Sequence, residues 1–143
     1  MSRRRDQTQA GSAAVEAAIG VPVFLLLVSL AFLGGRLAIT HQAVQSAASE
    51  GARLASLART APEARAAAAA GAHATLAGHA IACSTSRVTV DTGGFAVAVG
   101  LPATVEVTVS CAVPLAHFGF PGATGARVVT ATMSSPLDTY RGR

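Results

Sequence analysis

Glu16 is the only acidic residue between Asp6 and Glu50, and it stands at the entrance to 19 uncharged residues, Ala17 to Gly35. A carboxylate at the edge of an apolar helix is costly unless a positive group meets it. Its neighbours narrow the chemistry. Gly11 lies five residues upstream, followed by Ser12, and Arg3, Arg4 and Arg5 precede both. Two cysteines, Cys83 and Cys111, form a second candidate pair, and outside the cytoplasm their default chemistry is a disulfide. With His79 and His117 they also make a nominal Cys2His2 set, but its spacing matches no known finger or knuckle. Catalytic patterns are missing. There is no Gly-x-Ser-x-Gly elbow, no glycine-rich phosphate loop and no close pair of acids, and Asp91, Glu106 and Asp138 lie scattered. The sequence therefore predicts no enzyme, no cofactor and no metal. His41 and His73 read as surface residues.

The element that must position Glu16 is the apolar run itself. At about 1.5 Å per residue it crosses most of a ~30 Å hydrocarbon layer. A basic cluster on a short leading segment stays in the cytoplasm, so the chain beyond Arg36 is expected outside. The formal charge of +4 fits this division. Residues 1–11 hold three Arg and one Asp, leaving +2 for the other 132 residues. A basic patch interleaved with aromatics is also lacking, so nucleic acid is not an expected partner. A cleaved secretory signal would have a shorter apolar core and a small-x-small exit site, and neither is present.

Beyond the run the helical period continues. Leu37, Val44, Ala47, Ala48, Gly51, Leu54 and Ala58 share one stripe. His41, Gln42, Gln45, Ser49, Glu50 and Arg53 take the other face, with Glu50 and Arg53 spaced to pair. A helix from Ser12 to Arg59 would span roughly 70 Å, with Pro22 expected to kink it. Thr60, Pro62 and Glu63 predict a break and a capped restart, leading into an Ala-rich helix over 64–82. After Cys83 the period becomes two. Residues 87–91 and 95–99 flank Gly93-Gly94, a hairpin signal. The clearest strand is 103–113, with Val105, Val107, Val109, Cys111 and Val113 on one face. A loop over 114–126 carries Phe118 and Phe120, residues 127–133 make a last strand, and the tail is expected to be loose.

The fold class is α+β: a long N-terminal membrane-spanning helix continuing as a stalk, a second Ala-rich helix, and a small antiparallel β-sheet packed on the helices. The expected divisions are a basic leader over 1–11, the membrane helix over 12–36, a helical stalk over 37–82, a β domain over 83–135 and a flexible tail over 136–143.

Gly11-Ser12-Ala13-Ala14-Val15-Glu16, with arginines before and an apolar helix after, resembles the processing site of the type IV pilin superfamily. The segment from Gly11 to Leu57, with its Glu50-Gly51-Ala52-Arg53 ending, is similar to the TadE-like family of the tight adherence (Flp) pilus system. One position departs: Ala17 stands where that family commonly has Phe. The resemblance implies a minor pilin or pseudopilin cut by a prepilin peptidase between Gly11 and Ser12. It also implies that Glu16 pairs with the Ser12 amine of a neighbouring subunit. The implied partners are that peptidase, other pilin or pseudopilin subunits, the Tad assembly machinery and the membrane. Two rivals stay open: an uncleaved single-pass anchor whose outer domain binds a partner, and a secreted metal-binding or catalytic domain.

Overall fold

A computed structural model describes residues 3–118, 122 and 124–140, of which residues 3–12 are described by backbone alone. It contains helix α1 (Arg3–Leu57), helix α2 (Ala61–Gly78) and strands β1 (Thr85–Asp91), β2 (Thr104–Pro114) and β3 (Ala126–Pro136). Short 3-10 turns lie at Gly93–Ala96 and Leu115–Phe118. The chain divides into two compact units, Met1–Arg36 and Leu37–Arg143. Phe120 lies outside the described residues.

α1 starts earlier than the sequence suggests, because the Arg-, Gln- and Ala-bearing residues before Gly11 are themselves good helix formers. It continues through Pro22 and Gly34-Gly35 without a break. In the first unit the apolar side chains from Val15 to Phe32 are exposed, Leu26 at 70 %.

The second unit builds its core from small side chains. Ala43, Val44, Ala47, Ala48, Ala52 and Ala55 of α1 are buried, as are Ala64, Ala68, Ala72 and Leu76 of α2. Close approach is what lets such residues fill a core. Gly51 marks a close contact, since a Cβ there would lie 3.2 Å from the Ala68 carbonyl oxygen and 3.2 Å from Val107 Cγ1. At that residue α1 meets α2 and β2 at once. Gly71 of α2 serves the same end, because a Cβ would collide with Leu54 Cδ1.

α2 begins as its sequence dictates. Glu63 N–H donates to Thr60 Oγ1, and Thr60 N–H donates to the Glu63 carboxylate, a reciprocal cap that satisfies two orphan donors. Its C-terminus falls at Gly78 rather than Ala82, because Ala80 adopts a left-handed φ of 53°. The Ile81 N–H then bonds back to Leu76 and the Ala80 N–H to Ala77, closing the helix end. Alanine is a poor residue for that conformation, costing about 1–2 kcal/mol. Ala80→Gly is therefore expected to raise stability by about 1 kcal/mol, read as a higher thermal midpoint.

The sheet has order β1-β2-β3, antiparallel throughout. Val105, Val107, Val109, Cys111 and Val113 of β2 are buried together with Val129 and Ala131 of β3. On the opposite face hydroxyls pair across strands: Thr108 with Thr132 at 2.9 Å, and Thr130 donating to Ser110 at 3.2 Å.

The hairpin expected around Gly93-Gly94 does not form. A two-residue type I′ turn needs positive φ at both positions, and neither glycine has it. Instead the Gly93 N–H donates to Asp91 Oδ1 at 2.8 Å and ends β1, and the chain turns into the 3-10 segment. A Cβ on Gly94 would strike the Thr104 carbonyl oxygen, so this turn is pressed against the start of β2. β1 consequently pairs with β2, from Thr85↔Ala112 to Asp91↔Glu106. The tail is also tied down as far as Tyr140. Leu137 is buried and its N–H donates to Ala103, and the Thr139 carbonyl accepts from Gly100.

Candidate functional site

Glu16 is exposed on α1. Ser12 precedes it by four residues on the same helix. At the other end of the apolar run the Arg36 guanidinium lies over the Phe32 ring, 4.6 Å from its centroid. That arrangement lets a charged head leave an apolar surface while its stem stays on it.

Glu50-Gly51-Ala52-Arg53 has a clear structural use. Arg53 donates twice to the Glu50 carboxylate, Nε to Oε2 at 2.9 Å and Nη2 to Oε1 at 2.7 Å. This is an ion pair at i, i+3 spacing. The Arg53 hydrogen bonds hold the Glu50 carboxyl below the usual glutamate range. Because folding lowers that value, the contribution is present above the ordinary range and disappears as acid protonates the folded carboxylate. Between the pair, Gly51 and Ala52 face inward and are buried. The four residues thus combine an outward charge clamp with the close helix contact described above.

Cys83 and Cys111 form a disulfide, with Cα atoms 5.4 Å apart. It joins the α2–β1 connection to the C-terminal half of β2, since α2 has already ended at Gly78. Both thiols are consumed, so the nominal set with His79 and His117 does not exist as thiolate ligands. Among the described residues no group of three or more His, Cys, Asp or Glu side chains converges. The cross-strand hydroxyl rows, Thr108–Thr132 and Ser110–Thr130, were not visible as a unit in the sequence. Their signal is the alternation of Thr and Ser in two separate strands, which becomes a surface only once the register is known.

Taken together, these features define an α+β protein whose N-terminal helix is long and apolar enough to cross a membrane by length and composition. A single pass fits this chain. Residues 11–53 match a family model described as TadE-like protein, so the chain is similar to that family over this segment. The match opens on Gly11 and closes on Arg53, so it takes in Glu16, the apolar run and the Glu50–Arg53 clamp. No curated protein and no solved structure matches the chain.

Proposed function

We propose that the chain is a pilin-class subunit of the tight adherence pilus, a minor pilin or pseudopilin that assists assembly and has no catalytic role. The observation that carries the reading is the family match beginning at Gly11 and running through Glu16 into the apolar helix. In this reading Arg3, Arg4 and Arg5 hold the leader in the cytoplasm, and the unit from Leu37 onward lies outside. A prepilin peptidase cuts between Gly11 and Ser12. The released Ser12 amine then meets Glu16 of a neighbouring copy or another pilin. A carboxylate and an amine, each costly alone among apolar helices, become tolerable as a pair. The partners are the peptidase, sister subunits, the Tad assembly machinery and the membrane.

The test is the mature N-terminus. Mass spectrometry of the protein from cells with an active prepilin peptidase is expected to find a chain starting at Ser12. A functional protein that still starts at Met1 or Ser2 would overturn the reading in favour of an uncleaved anchor.

A further inference from the structure

Strands β1 and β3 are both edges. Among the described residues no strand flanks either on its outer side. The hydrogen bonds at the two ends of the β2–β3 ladder show which backbone groups face outward. Leu137 N–H donates to Ala103 and Leu115 N–H donates to Gly125, both in ladder register. Odd-numbered residues of β3 are therefore the ones bonded to β2. Antiparallel bonding alternates, so Val128, Thr130, Thr132 and Ser134 direct their N–H and C=O groups away from the sheet. The same alternation assigns the even residues of β2 to β1, which leaves Ser86, Val88 and Val90 pointing out of the opposite edge.

Protein edges are normally protected by lysines, inward charges, prolines or bulges. β3 has none of these over its middle. Its 11 residues pair one-to-one with β2, no charged residue lies between Val128 and Ser135, and proline comes only at 136. β1 likewise pairs without a bulge.

We propose that these two edges are complementary halves of one self-association surface. The β3 edge of one copy takes the β1 edge of the next in parallel, so the three-stranded sheets join into a continuous one. Direction allows it, since β1 and β3 both run antiparallel to β2 and hence parallel to each other. Parity allows it too. In a parallel pair a residue that bonds across lies beside one that does not. Even residues of β3 therefore fall beside odd residues of β1. Thr130 and Thr132 join Arg87 and Thr89 on the hydroxyl face, while Ala131 and Met133 join Val88 and Val90 on the apolar face. Val88, Val90 and Met133 are each only half-buried within one copy, so this union covers apolar surface left open at both edges. Arg87 and Asp91 meet hydroxyls rather than like charges. A two-fold β3–β3 pairing would leave every β1 edge bare, which favours the head-to-tail contact. Such a contact does not close on itself and builds an open row. The inference is independent of leader cleavage and of Glu16.

The test uses full-length chains in detergent micelles, with an edge-specific readout because α1 can hold copies together by itself. Chains carrying Thr89→Cys are mixed with chains carrying Thr132→Cys and treated with a short bis-maleimide. The expected product is a cross-linked dimer of unlike chains, in at least tenfold excess over either like pair. Adding Thr130→Pro to the Thr132→Cys chain removes an outward N–H and the hydroxyl contact with Ser110 but breaks no backbone bond to β2, and the yield should fall at least tenfold. Thr130→Lys, which keeps the backbone intact, should do the same, and retention of the Cys83–Cys111 bond verifies folding. Absence of the unlike product, equal or greater yield of the Thr132→Cys like pair, or insensitivity to both Thr130 substitutions would each overturn the proposal.

Discussion

Glu16→Ala is expected to leave the chain inserted in the membrane and to reduce its assembly with sister subunits at least about a hundredfold. The magnitude follows from what the substitution leaves behind. Removing one member of a buried charge pair strands the other, at a cost of about 3–5 kcal/mol. Each 1.4 kcal/mol is a factor of ten in an equilibrium. Insertion should be unaffected, because alanine favours helix and is less polar than glutamate. Membrane fractionation against recovery of the chain with assembled pilus subunits separates the two effects. Assembly of Glu16→Ala at the unsubstituted level would remove the charge pairing from the proposed function.

Replacing both cysteines, Cys83→Ala with Cys111→Ala, is expected to lower the stability of the second unit by roughly 3–4 kcal/mol. The bond spans 28 residues of sequence, and in the chain-entropy picture its loss frees a loop of that size in the unfolded chain. Alanine is the right replacement at 111, since that side chain is fully buried and a serine hydroxyl there would need a partner. Around a core made largely of Ala and Val, this share is large. The thermal midpoint should fall on the order of 15 °C, at about 4–8 °C per kcal/mol for a domain near this size. Calorimetry on the variant, and on the unsubstituted chain with reductant, should agree. A shift below a few degrees in both would mean that the helices and sheet hold together without the link.

Particular residues show what was legible. The buried stripe of α1 was visible at Val44, Ala47, Ala48 and Gly51 because helical spacing alone places them on one side. Thr60 and Glu63 announced the cap because both partners lie within one turn. In β2, alternation named the buried set from Val105 to Val113 correctly. The failures share a cause. Gly93-Gly94 looked like a hairpin turn, yet the partner of β1 is 20 or so residues further on, and contact with Thr104 selected a 3-10 turn instead. α2 stopped at Gly78 through an alanine in a left-handed conformation, which composition does not signal. The tail was held by Leu137, whose burial depends on the Gly94 turn that packs beside it.

The candidate site divides in the same way. Gly11, Ser12, Glu16 and the apolar run are neighbours along one helix, so their types and spacing were readable directly. That the Gly51 contact lies inside the Glu50–Arg53 clamp emerged only when α2 and β2 came against α1.

The sequence by itself determined the long apolar helix, the acid at the entrance to its apolar run, the cap of the second helix and the alternating strand at the centre of the sheet. These depend on periods of 3.6 and 2, which are written within a few residues. The tertiary structure decided which strands pair, where the disulfide lands, how closely α1 approaches α2, and which sheet edges stay open. Those outcomes depend on backbone hydrogen bonds and side-chain contacts between residues far apart in the chain, where local pattern carries no information about the partner.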